Sequence, residues 1–384
     1  MKYWIIIILT FLMFPAISIG HSVENAGHGE TGKMETSLHR LLPSASCSQP
    51  SALCSLPSAL TFTNPLFNGA DPWLVKQDGY YYYCYSAFNG IFVSKSKFIT
   101  RKGEPVMVWK APGNGWNHAN IWAPELHFLH GKWYIYYAAA KKGGSPFIYQ
   151  RSGVLESKTS DAQGEYIDRG MLNTGNDPND PEKAVWAIDF TLLNLNGKLY
   201  GIWSGWDQNA ATDATPQHLY IALMSNPYTL SGSRVKISSP TESWETGGPL
   251  NLNEGPEVLK NGGNVFIIYS CRESWLKEYR LGQLRLKSVN SDPLNPSSWL
   301  KSGPVFQGTD KVPGTGHCSF VLSPDDTENW IIYHSKITEA PGWKRDVRAQ
   351  KFTWKADGSP NFGLPVPSGV EIKRPAGEYE LDCK

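Results

Sequence analysis

The chain has 384 residues, with 36 lysines and arginines against 35 aspartates and glutamates and a formal net charge of +1. So even a balance excludes a polyanion as principal partner, because nucleic-acid binding rests on an excess of basic charge. Fifteen Trp and eighteen Tyr are a heavy aromatic load, suited both to packed sheets and to a site for a neutral ligand such as a sugar, whose C–H faces lie on rings.

The first twenty residues, MKYWIIIILTFLMFPAISIG, carry a lysine, an apolar centre and the small residues Ala16, Ser18 and Gly20 near their end. That pattern predicts a secretory signal peptide, and hence an exported, extracellular protein that does not reside in a membrane. Residues 21–60 are rich in Ser, Pro, Gly and Glu and read as a low-complexity leader. Residues 61–384 are expected to form one domain, because a single layout repeats through them. Six cysteines in an exported chain permit disulfides. Cys47 and Cys54 are placed to close a small loop in the leader, Cys84 and Cys271 are expected to be buried free thiols, and Cys318 and Cys383 are left open. There is no CxxC pair to suggest structural zinc, and no Asn-x-Ser/Thr sequon.

The repeat is a hairpin of two strands rich in β-branched and aromatic residues about a Gly- or Asp-containing turn. It appears as DPWLVKQDGYYYYCYS, APELHFLHGKWYIYYA, DFTLLNLNGKLYGIWS, EGPEVLKNGGNVFIIYSC and HCSFVLSPDDTENWIIYHS. Counting back eight residues from the first turn residue gives Asp71, Ala123, Asp189, Glu254 and His317, which are 52, 66, 65 and 63 residues apart. That interval holds four short strands and their turns, the size of a propeller blade. The fold class expected is therefore all-β, a five-bladed β-propeller. Its innermost strands bring the same position of each blade to one height around a central channel. Four of the five positions are ionisable and three are acids, where packing alone favours small or apolar groups.

In chain order, blade one opens at NPLFNGADPW, and its Tyr80 to Tyr85 run alternates poorly, as expected of a strand buried on both faces. Blade two carries Ala123 with Glu125 two residues on and so on the same strand face. The insertion 161–183 contains NDPNDPEK, which resembles the NDPNG signature of invertase-type fructosidases but sits in a Pro-rich polar loop rather than on a first inner strand. Blade three is followed by a polar loop over 207–217, and blade four by a charged loop over 272–280. In blade five SPDDTENW has a faint likeness to a sialidase Asp box but lacks its Gly. The closing RDVRAQKFTWKADGSPNFGLPVPSG supplies a strand and turn that pair with blade one, or with strand material just upstream of it, to shut the ring.

GADPW, the IWAPE hairpin, the W-x-I-D blade, NEGPEV and GTGH, in this order, together resemble glycoside hydrolase family 43 over residues 64–369. The resemblance implies a five-bladed propeller and inverting hydrolysis of arabinose- or xylose-containing polysaccharides. By that likeness Asp71 is the general base, Glu254 the general acid, and Asp189 the residue that modulates the acid's pKa and orients it. An inverting hydrolase needs one ionised and one protonated carboxyl on opposite faces of the sugar, about 6.5–9.5 Å apart. Acids on different blades around one channel suit that gap. Glu257, which falls outside the shared register, is the rival to Glu254.

His317 matches a family histidine that orders water or helps hold a calcium ion on the propeller axis; no cofactor is required otherwise. Arg345 and Arg348 flank the position of a substrate-contacting arginine, and the sequence leaves both open. Trp73, beside the base, and Trp122, just before Ala123, are candidates for sugar stacking, with core packing as the competing role.

The activity expected is that of an exo-acting α-L-arabinofuranosidase on arabinan or arabinose-containing hemicellulose of plant cell walls. A monomer is expected. The alternatives are a β-xylosidase or endo-arabinanase of the same family, or, in another class, a carbohydrate-binding propeller without catalysis.

Overall fold

Short runs of β-branched and aromatic residues, each closed by a tight turn, give strands that pair with their neighbours in sequence. In the computed structural model, which describes residues 60–177 and 183–378, they assemble as a five-bladed β-propeller. The innermost strands of blades one to five are Trp73–Gln77, Ala119–Leu129, Ala187–Leu195, Asn253–Asn261 and Gly316–Leu322. Each pairs antiparallel with the next strand of its blade, so the sheets build outward from the axis. The expected signal peptide and leader up to residue 59, Cys47, Cys54, Cys383 and part of NDPNDPEK lie outside the described residues.

The ring is shut by strand material just upstream of blade one. Phe67–Asn68 pairs with Arg345–Trp354, matching Phe67 to Val347 and Asn68 to Asp346, and so becomes the outer strand of blade five. A further small sheet joins Thr61–Thr63 to Glu371–Lys373. Tying the two ends of the domain together removes an open edge from the last blade.

Blades bury both faces against their neighbours, which explains the poor alternation of Tyr80–Ala87. Five apolar clusters each bridge two adjacent blades. Tyr82, Cys84, Trp133 and Tyr137 join blades one and two, Phe190 and Trp203 pack on Tyr136 between two and three, and Ile202 and Ile267 meet between three and four. Phe266 and Tyr333 join four and five, and Tyr83 and Trp330 join five and one. Cys84, Cys271 and Cys318 are buried free thiols in these layers.

One structural device recurs on the axis. Asp71, Ala123, Asp189, Gly255 and His317 all adopt left-handed backbone, with φ of 48°, 39°, 53°, 50° and 42°. In blades two to five the inner ladder slips by one residue at this point, between Trp122 and Glu125, Ile188 and Thr191, Glu254 and Glu257, and Gly316 and Cys318. A bulge of this kind re-aims the local side chains, and non-glycine residues held at positive φ cluster at functional sites. The bulges correct the blade-four register. Its turn is Gly262-Gly263, both at positive φ like Asp78-Gly79, His130-Gly131 and Asn196-Gly197, so the residue matching Gly79 is Gly263, and the axial position is Gly255 rather than Glu254. Glu254 stands one residue before it, and Glu257 two residues beyond it, in the same register as Glu125.

Candidate active site

The bulged strand starts open into a pocket of about 670 Å³ at one end of the axis. Asp71, Asp189, Glu254 and His317 all line it, together with Trp122, Ala123 and Arg345. Glu257 does not.

Asp71 is the most heavily held of the acids. Its Oδ1 lies 3.2 Å from Arg345 Nη1, 3.3 Å from His334 Nδ1 and 3.4 Å from His317 Nδ1. Burial alone pushes this carboxyl up, but Arg345 and then His317 outweigh it and hold the group ionised, well below the usual carboxylate range. The Asp71 N–H donates to His334 Nδ1 at 3.0 Å, so that nitrogen is unprotonated and the ring proton sits on Nε2. Desolvation, with Arg345 nearby, lowers the His334 pKa to about 3, and the imidazole is neutral.

Glu254 is treated in the opposite way. Burial and then the negative Asp189 raise its pKa well above the ordinary value, against a lowering hydrogen bond from Tyr279. That bond runs from the Tyr279 hydroxyl to Glu254 Oε1 at 3.0 Å. Tyr279 is itself fully buried and stacks on His334, centroids 5.4 Å apart and planes 10° from parallel. A hydroxyl on Glu254 and an imidazole on Asp71 thus lie face to face. Asp189 is buried at 4 % exposure; desolvation raises its pKa, with opposing contributions from His317 and from the Gly255 N–H that donates to its Oδ2 at 2.9 Å.

Glycine in NEGPE follows from this packing. A Cβ on Gly255 would stand 3.0 Å from His317 Nδ1, on a backbone already at positive φ. The close approach sets Asp189 and His317 against the strand that carries Glu254.

Two more carboxyls lie buried on neighbouring inner strands. Glu125 and Glu257 lie against each other; burial raises both well above the ordinary range, and their contact adds to the rise of Glu257 while opposing that of Glu125. Glu125 Oε2 lies 2.9 Å from His127 Nε2, while Oε1 of each glutamate is buried without a hydrogen-bond partner. A shared proton satisfies such a pair.

The remaining expectations divide. Arg345 reaches the pocket and Arg348 does not; three residues on, it points to the other strand face and is buried on Asp346, Ser335 and Ser368. Trp73 is also corrected: its indole donates to the Leu126 carbonyl at 2.8 Å and packs on His127, a contact between blades one and two. Trp122 lines the pocket, edge-on to Phe147 at 5.0 Å. Trp186, which donates to the Phe147 carbonyl and stacks on Trp206 at 4.5 Å, extends this wall.

The donor set around His317 does not fit calcium, which takes six to eight oxygens. The nearest carboxylate, Asp71, already carries a guanidinium. Among the described residues no three metal-binding side chains converge.

Tyr279, His334, Phe147, Trp186, Trp275 and Trp343 were not singled out from the sequence. Tyr279 was the most accessible, being the one aromatic that ends a charged loop.

The family model for glycosyl hydrolases family 43 matches residues 62–360. The chain belongs to this family. Among curated family 43 relatives, an extracellular exo-α-(1→5)-L-arabinofuranosidase of Streptomyces avermitilis is 37 % identical over 327 residues, covering 81 % of this chain and 65 % of the relative. An α-L-arabinofuranosidase of Humicola insolens is 32 % identical, covering 78 % and 62 %. The chain thus spans a little under two thirds of the length of these two. A crystal structure of α-L-arabinofuranosidase from Lactobacillus brevis superposes with a TM-score of 0.72 at 32 % identity, covering 80 % of this chain and 98 % of that one.

Proposed function

We propose that this family 43 protein is a secreted, inverting α-L-arabinofuranosidase that releases L-arabinose from chain ends of arabinan or arabinose-containing hemicellulose. The observation that carries the reading is the opposite treatment of two carboxyls facing one pocket. Asp71 is held ionised by Arg345 and His317, and Glu254 is held protonated by burial and Asp189.

In this reading Asp71 takes a proton from water as the water oxygen bonds to the anomeric carbon. Glu254 gives its proton to the departing glycosidic oxygen as the C–O bond breaks, and the product emerges with inverted anomeric configuration. Asp189 keeps Glu254 protonated and, through the Gly255 N–H, fixes the strand that presents it. Arg345 and the aromatic wall of Trp122, Phe147 and Trp186 hold the sugar. The pocket volume lies within the range for a small ligand, which favours capture of a chain end. The arabinofuranosidase names of the relatives above favour arabinose over xylose.

Incubation with linear α-1,5-arabinan tests this. Arabinose as the product from the first time points supports the proposal, whereas a ladder of oligomers points to endo action. Faster turnover of p-nitrophenyl β-D-xyloside than of the α-L-arabinofuranoside assigns a xylosidase, and binding without turnover a lectin-like propeller.

A further inference from the structure

Across the pocket from Trp122, Phe147 and Trp186 stands a second pair of indoles. Trp275 lies in the blade-four loop after Asn264–Cys271, and Trp343 in the blade-five loop before Arg345–Trp354. Their centroids are 5.0 Å apart with planes at 47°. Trp343 is 57 % exposed, so its burial against the protein does not account for its place.

The two loops are fastened to each other. The Gly342 N–H donates to the Trp275 carbonyl at 2.9 Å, Lys277 pairs with Glu339 at 2.8 Å, and the buried Lys336 donates to the Gly342 carbonyl at 2.6 Å. The Arg345 guanidinium, which engages Asp71, also lies 5.7 Å from the Trp343 ring centre. The indoles are therefore preorganised and connected to the reacting end of the pocket.

Their side of the pocket decides what they meet. Glu254 pairs with Ser270 across its hairpin, and the loop bearing Trp275 begins two residues after Ser270. An acid hands its proton to the leaving oxygen, so the departing group lies on the acid's side of the scissile bond. We propose that Trp275 and Trp343 form a stacking platform for the leaving sugar, a pentosyl unit whose apolar C–H face lies on the indoles. The proposal rests on the arabinofuranosidase reading and adds to it a specificity element that acts beyond the arabinose being released.

The test compares wild type with Trp343→Ala and Trp275→Ala on two substrates. Methyl α-L-arabinofuranoside has no ring in its leaving group; α-1,5-arabinotriose, which loses its terminal arabinose, has two. The platform predicts that the ratio of kcat/KM for arabinotriose over the methyl glycoside falls about tenfold in each variant, chiefly through KM. An unchanged ratio, in a variant whose thermal unfolding matches wild type, overturns the platform while leaving the arabinofuranosidase reading intact. Wild-type protein inert on both compounds overturns the reading and the platform with it.

Discussion

Replacing Arg345 by methionine isolates the interaction that keeps the proposed base ionised. The guanidinium lies 3.2 Å from Asp71 Oδ1, where two unit charges at an effective dielectric constant of about 20 attract by about 5 kcal/mol, or about four pH units. Two things reduce that figure. The Asp71 side chain is 24 % exposed towards the pocket, and His317 stays in place. A rise of about two units is the expected net effect. In the wild type Asp71 is held so low that kcat/KM should stay flat on the acid side until the fold itself fails. With Arg345→Met the carboxyl moves back towards the ordinary range, and an acid limb that wild type lacks should appear below about pH 4. The assay is the pH dependence of kcat/KM for p-nitrophenyl α-L-arabinofuranoside, with circular dichroism at each pH to separate titration from unfolding. A variant profile that superimposes on wild type after scaling would refute the assignment of Arg345 as the group that ionises Asp71.

Other consequences follow from neighbouring contacts. Tyr279→Phe removes the donor to Glu254 Oε1, which favours the ionised acid; its loss raises the acid's pKa, so the alkaline limb of the profile should move up by about one unit while kcat falls about tenfold. A limb that stays put or moves down contradicts that role. Gly255→Ala places a methyl group 3.0 Å from His317 Nδ1 at positive φ and should cost about 2 kcal/mol in a denaturant titration; unchanged stability would show that the strand yields freely. Glu257 has its pKa raised in the fold, so wild type loses stability as pH climbs from the unfolded carboxyl value towards the folded one. Glutamine does not titrate, and the melting temperature of Glu257→Gln should gain on wild type as pH rises above about pH 4, the unfolded carboxyl range. A difference constant with pH would mean the pair carries no extra proton.

The hairpin repeat made the ring legible because strand residues, turn residues and blade length all follow from local chemistry. Register was harder. Blade four has glycine at both turn positions, so counting from the first placed Glu254 where Gly255 stands, and only the left-handed bulges shared by the five strands fix the alignment. Arg345 and Arg348 could not be separated while the strand boundary was unknown; three residues apart, they project to opposite faces. Trp73 faces a neighbouring blade, a contact set by packing angle rather than by its distance from Asp71. Tyr279 and His334, which touch the acid and the base, come from a loop of blade four and the second strand of blade five respectively. Their meeting is a product of ring closure, which no local pattern encodes. The same holds for the pairing of Glu125 with Glu257.

At the centre of the account are two carboxyls with opposite duties, and leaving-group dependence separates them. Glu254→Gln and Asp71→Asn should each lower turnover of arabinotriose by about three orders of magnitude or more. On 2,4-dinitrophenyl α-L-arabinofuranoside, whose leaving group departs without a proton, Glu254→Gln should recover most of its rate while Asp71→Asn stays impaired. Equal losses for both variants on both substrates would contradict the assignment of acid and base.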